Sequence, residues 1–166
     1  MCAALQAQDY PTRPVRVLVP YTPGGITDLV TRIAAAELAK SFSQTVVVDN
    51  RPGANSILAV DMVSKATPDG YTLGTVIAAH AANQTLYAKL PYDAVRDFVA
   101  ISELASFPLL LVVNASSPIK SVAEFVAYAK ANADKTNYAT SSATFQLVTE
   151  LFKQKTGAPM QVIPYK

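Results

Sequence analysis

Apolar and polar positions along this chain follow two rhythms, short β-branched runs and longer stretches with an apolar residue every third or fourth place. Val15-Arg16-Val17-Leu18-Val19 is the first run, and Pro20 with the turn Thr22-Pro23-Gly24-Gly25 stops it abruptly. This predicts a buried strand ending in a tight turn. Thr27 or Asp28 is placed to cap a helix, in which Leu29, Ile33, Ala36 and Ala39 follow at helical spacing. The rhythm then repeats. Thr45 to Val48 reads as a strand, Asn50-Arg51-Pro52-Gly53-Ala54-Asn55 as a loop, and Ser56 to Ala66 as a helix with Ile57, Val60 and Val63 on one side. Pro68-Asp69-Gly70 closes that unit with a turn. A third strand, Tyr71 to Ile77, runs into Ala78-Ala79-His80-Ala81-Ala82-Asn83, where another helix starts. Three such units in a row predict an α/β fold, a parallel sheet with helices on its faces, because parallel neighbours need crossovers.

After Leu90-Pro91-Tyr92-Asp93 the alternation breaks: Phe98 to Glu103 and Pro108 to Val113 are two strand-like runs with little room between them for a helix. We expect the domain boundary there, with a first α/β lobe over residues 10–104 and the first part of a second over 105–166. In the second, Ser121 and Glu124 form a capping box ahead of the stripe Val122, Phe125, Val126 and Ala129. A short strand at Thr136 to Ala139 and a hydroxyl-rich loop, Thr140 to Thr144, come next. Phe145 to Lys155 then reads as a helix ended by Gly157. Gln161 to Lys166 reads as a last strand with nothing after it to cover its face, so the expectation is that the fold is incomplete at its C-terminus.

Composition narrows the class. At 166 residues the chain is long enough for a real core, and its 51% hydrophobic content contains no apolar run long enough to span a membrane. Fourteen basic and twelve acidic residues are scattered rather than striped, which argues against nucleic acid as a partner. One cysteine, Cys2, and one histidine, His80, give no zinc spacing and no internal disulfide. Leu5-Gln6-Ala7 ahead of Gln8-Asp9-Tyr10 resembles the end of a secretory signal peptide, so residues 1–9 read as a signal remnant or a disordered terminus.

Ligands of open α/β sheets sit beyond the carboxyl ends of the strands. Four segments hold such positions: Tyr21 to Asp28, Asn50 to Asn55, Ala78 to Asn83, and Thr140 to Thr144. In Pro23-Gly24-Gly25-Ile26-Thr27-Asp28 the glycines permit a tight turn and the following helix aims unpaired N–H groups back at it, which suits an anion. An ordinary glycine turn with a Thr or Asp cap is the alternative, and no Gly-Lys-Ser/Thr follows as a phosphate loop would require. Ser141, Ser142, Ala143 and Thr144 set hydroxyls and N–H groups at a helix start, as a carboxylate cradle or a surface turn. His80 past a strand end is a hydrogen-bonding group or a packed ring, and Arg51 a counter-charge or a loop pin. No nucleophile, base and orienting acid assemble from these motifs, so no catalytic residue is assigned and binding leads over an α/β enzyme using His80 or Asp28.

The ordered series Tyr10-Pro11, Pro14 to Pro20, Pro23-Gly24-Gly25 with Asp28, Val46 to Ala54, Pro68 to Leu73, Leu90 to Asp93 and Asp97-Phe98 resembles the Bug-type substrate-binding receptors of tripartite tricarboxylate transporters. The likeness runs from about Tyr10 to the end. It implies a periplasmic, type II-like binding protein of two α/β lobes that closes over an organic acid and delivers it to membrane permease subunits, without cofactor or metal. It also implies that the ligand carboxylate meets backbone N–H groups and waters at three loops. These match Tyr21, Pro23, Gly24, Gly25, Ile26, Thr27 and Asp28; Ala78, Ala79 and His80; and Ser141, Ser142, Ala143 and Thr144. The second-lobe loop is poorer in glycine than the family's usual one, and family chains are much longer. A carboxylate-sensing module for a signalling partner is the alternative role.

Overall fold

A computed structural model describes residues 9–140 and 142–164. The expected signal remnant, Met1 to Ala7 with Cys2, lies outside the described residues, as do Ser141, Tyr165 and Lys166. Residues up to Ala105 form one compact unit and those from Ser106 a second.

The first unit is built on β1 (Val15–Val19), α1 (Ile26–Phe42), β2 (Val46–Asn50), α2 (Ile57–Ser64), β3 (Thr72–Gly74) and α3 (Ala79–Leu86). Its three strands are all parallel in the order β2-β1-β3, with Val17 opposite Val48 on one side and Leu73 on the other. The central strand therefore has neighbours on both edges. Val15, Leu18 and Val19 are almost wholly buried, which is why β1 is apolar at every position except Arg16. The chain steps from β1 to β2 in one direction and from β2 past β1 to β3 in the other. Right-handed crossovers then carry α1 and α2 to opposite faces.

Strand β3 is shorter than the expected Tyr71 to Ile77, because only residues 72–74 pair with β1. Gly74 sits where α2 crosses closely: a Cβ there would lie 2.8 Å from Val63 Cγ2. Val63 is β-branched and stiff, so Gly74→Ala is expected to cost about 1–3 kcal/mol by overpacking. Urea denaturation should show a lower midpoint at unchanged slope; an unshifted midpoint would mean that α2 yields freely.

Two of the sequence motifs are latched together at the start of this unit. The Tyr10 hydroxyl donates to Gly70 O at 2.6 Å, and the Thr12 N–H donates to the Tyr71 hydroxyl at 2.9 Å. Arg13 pairs with Asp69 at 2.8 Å and lies over the Tyr71 ring.

The runs Phe98 to Glu103 and Pro108 to Val113 are not strands. Neither joins a ladder among the described residues, and Val99, Ile101, Leu110 and Val112 are strongly exposed. β-branched composition favours an extended backbone, but a strand exists only where a neighbour satisfies its N–H and C=O groups.

The second unit contains α4 (Val122–Ala131), β4 (Asn137–Thr140), α5 (Ala143–Thr156) and β5 (Gln161–Pro164). Strands β4 and β5 are parallel, with Tyr138 opposite Val162. The capping signal is met in part: Ser121 Oγ accepts the Glu124 N–H, while Glu124 reaches one residue further back, to the Lys120 N–H rather than that of Ser121. Gly157, with φ of 67°, ends α5 in the left-handed region and donates to Lys153 O.

Candidate functional site

The order β2-β1-β3 places a topological switch between β1 and β3, where successive connections leave toward opposite faces of the sheet. In open parallel sheets the crevice outside the strand ends lies at such a point. The loops leaving these two strands are Pro20 to Gly25 and Thr75 to Ala78. The structure thus brings two of the three expected site segments, Tyr21 to Asp28 and Ala78 to His80, to the carboxyl edge of one sheet. They are tied beneath it: Thr75 N–H donates to Leu18 O, and the Thr31 hydroxyl of α1 donates to the Thr75 hydroxyl at 2.9 Å.

The first loop has a helix N-terminus left open. Neither Thr27 nor Asp28 is the N-cap; Gly25 is, and it makes no side-chain cap bond. Asp28 sits one turn inside, and its side chain reaches back to accept the Gly24 N–H at 2.9 Å. Its carboxylate also accepts Arg32 Nε at 3.0 Å and Asn50 Nδ2 at 2.9 Å. Asn50 in turn donates to Tyr21 O and accepts from Arg32 Nη2. The Asp28 carboxylate and the Asn50 side-chain amide are thus both occupied by their neighbours. Asp28 is therefore the post that holds the loop, and the Gly25, Ile26 and Thr27 N–H groups stand without intrahelical acceptors, as in any first helical turn. The geometry offers an anion neutral donors at the positive end of a 17-residue helix.

The Arg32 hydrogen bond, then the Gly24 N–H and Asn50, hold the Asp28 carboxyl down at about 2, below its ordinary 3.8. A lowered folded-state value contributes stability above the ordinary pKa and loses it as pH falls through about 2. Asp28→Asn should therefore melt below the wild type at about pH 5, and the gap should narrow steadily toward about pH 2. A gap constant across that range would remove Asp28 from the account of loop stability.

The neighbouring loop, between β2 and α2, is strained. Gly53 is followed by three residues in the left-handed region, Ala54 (φ 45°), Asn55 (φ 50°) and Ser56 (φ 76°), at about 1 kcal/mol or more for each non-glycine residue. Asn83 of α3 is fully buried against them. Its amide donates to Asn55 O at 2.8 Å and to Ser56 Oγ at 3.3 Å, and its Oδ1 accepts from Asn55 Nδ2 at 2.8 Å. The buried Ser56 side chain lies beside Tyr21, whose hydroxyl is raised in pKa first by burial and lowered by that neighbour. The Tyr21 hydroxyl makes no hydrogen bond of ordinary geometry.

His80 is the second residue of α3. Its ring stacks on Tyr92, meets Phe98 edge-on at 5.0 Å, and places Nε2 2.9 Å from Ala94 O. The imidazole thus holds the segment Tyr92 to Phe98 against the unit. Arg51 pairs with Asp49, which also accepts Arg16, so its charge pins the loop. A groove between α1 and β2, lined by Arg32, Ala35, Ala36, Ala39, Val46 and Val48, runs along the flank of the sheet. Its one charged group is the Arg32 already paired with Asp28.

In the second unit, Ser142 is the N-cap of α5 and makes no cap bond. Its hydroxyl and that of Thr144 are buried without a hydrogen-bond partner, while Thr140 donates to Ser142 O. Ala143 opens the helix, and Ser141 lies outside the described residues. This loop too leaves the carboxyl end of a parallel strand. Among the described residues no three His, Cys, Asp or Glu side chains cluster as metal ligands, and no helix is long and apolar enough to cross a membrane.

Sequence reasoning missed Asn50, Ser56 and Asn83 as site-building residues. Asn50 and Asn83 both fell within segments singled out for their position at strand ends, but nothing local distinguishes a buried structural amide from a solvated one.

Residues 30–166 match the family described as tripartite tricarboxylate transporter family receptor. The chain is 37% identical to the protein BugT of Bordetella pertussis over 170 residues, covering all of this chain and 52% of that one. Among solved structures it is similar to an R. palustris protein with adipate (TM-score 0.89, 39% identity, 95% of this chain, 54% of that one). It is also similar to MatC of Rhodopseudomonas palustris with bound malate (TM-score 0.83, 32% identity, 94% of this chain, 54% of that one). The chain spans about half the length of the relatives it matches.

Proposed function

The chain belongs to the tripartite tricarboxylate transporter receptor family, and on that premise we propose that it captures a small organic carboxylate outside the cytoplasm for delivery to the permease subunits of such a transporter. The family and its structural neighbours are solute-binding proteins rather than enzymes. The observation that carries the reading is the open N-terminus of α1 at the switch between β1 and β3. There the Asp28 carboxylate is paired with Arg32 and occupied by the Gly24 N–H and Asn50. A carboxylate docked on the Gly25 to Thr27 N–H groups meets donors without a competing negative charge. The buried hydroxyls of Ser142 and Thr144 supply the same kind of donor in the second unit. Similar proteins hold adipate and malate, so dicarboxylates are the first ligands to try. In this reading the two compact units are the two lobes of a periplasmic receptor, the first ending near residue 104.

The test is a thermal-shift series on the chain with adipate, malate and a panel of mono- and tricarboxylates. A ligand at about 100 times its Kd adds about 2.7 kcal/mol, so a true ligand should raise the Tm by about 5–10 °C. No shift with any carboxylate would overturn the assignment.

A further inference from the structure

We propose that Asn83 is the positioning residue of this carboxylate site: its buried amide clamps Ala54 to Ser56 in the left-handed conformation at the strand end next to the Tyr21 loop. The inference rests on the binding assignment above. Three successive non-glycine residues at positive φ are not held there by their own preferences. The chain supplies the opposing force from 27 residues downstream, in three hydrogen bonds from one side chain with no exposed surface. Two of these engage Asn55 as donor and acceptor together, using the two ends of one carboxamide. The third reaches Ser56 Oγ. Because Asn83 belongs to α3, the clamp joins the loop after β2 to the helix after β3, with the Tyr21 loop between them in the sheet order.

Without the clamp the loop relaxes toward ordinary backbone angles, and the binding-competent fraction falls. Apparent affinity falls by the same factor. A glycine in the strained run carries no penalty for positive φ and shifts the population back. Ala54 suits this purpose, being exposed and contributing no side chain to the hydrogen bonds.

The experiment compares wild type, Asn83→Ala, Ala54→Gly and the double variant. Isothermal titration with adipate and malate reads affinity, and the backbone angles of residues 54–56 are read from NMR chemical shifts without ligand. Asn83→Ala should weaken binding about tenfold or more and abolish the left-handed shifts of Asn55 and Ser56. Ala54→Gly should restore most of both, with a gain several-fold larger in the Asn83→Ala background than in the wild type. A residue that merely filled space would not be rescued by an exposed glycine. Left-handed shifts that survive Asn83→Ala, or lost affinity that Ala54→Gly fails to recover, would overturn the clamp. If the wild type binds neither acid, the titration uses whichever carboxylate of the thermal-shift panel stabilises the chain; if none does, the carboxylate assignment falls and the ligand-free shifts alone decide the clamp. If Asn83→Ala does not fold, Asn83→Asp takes its place, keeping the acceptor for Asn55 and removing the donors.

Discussion

Replacing Leu18 with alanine is expected to remove about 2–5 kcal/mol of stability, a large share of the about 5–15 kcal/mol that holds a typical domain folded. Leu18 is 1% exposed within β1, with β2 and β3 on its two sides. A close-packed surrounding of strands and crossing helices leaves little room to collapse onto the lost methyl groups, so the cavity term adds to the transfer term. Leu111→Ala is the matched control: the same chemistry at a residue 56% exposed, outside any ladder, is expected to change stability by about 0.5 kcal/mol or less. Urea unfolding followed by circular dichroism gives both numbers. Equal effects at the two positions would mean that β1 is not the centre of the first unit's core.

The second large effect is on association. Ile26, Leu29 and Ile33 repeat along one side of α1 and are each more than half exposed. In the first unit Val99 and Ile101 are 89% and 78% exposed, and in the second Leu110 and Val112 are 80% and 78%. Exposed large apolar side chains in such number are uncommon on a protein that stays monomeric. The 166-residue chain should therefore bind a hydrophobic dye strongly in its folded state and sediment as larger species with rising concentration. Changing Val99, Ile101, Leu110 and Val112 together to serine should cut dye fluorescence several-fold and move sedimentation toward the monomer. A wild-type chain that ignores the dye and stays monomeric at all concentrations would refute this.

These exposed runs mark where sequence and structure part. Valine, isoleucine and leucine at 98–113 have strand composition, and the expectation of two strands followed from composition alone. Ladder pairing is a relation between distant segments, and no described segment supplies it. The shortening of β3 has the same origin, since its ladder with β1 ends after three residues. Likewise Asp28 satisfies every sequence criterion for a cap. It becomes the post of the loop because β2 brings Asn50 to it, 22 residues away in sequence.

By itself the sequence determined the α/β class, the strand–helix alternation of the first unit, the helix start at Ser121 and the glycine stop at Gly157. All of these depend on neighbours within a few residues: hydrophobic period, turn chemistry and the missing N–H or Cβ of Pro and Gly. Only the tertiary structure decided the order β2-β1-β3, which puts the Tyr21 and Ala78 loops on the two sides of one switch point. It also decided that Arg32 and Asn50 occupy Asp28, that His80 packs on Tyr92 and Phe98, and that Asn83 holds a left-handed run built of Ala, Asn and Ser. Apart from the i,i+4 pair of Arg32 and Asp28, each of these is a contact between residues distant in sequence. Its energy exists only once the sheet has paid the entropy of bringing them together.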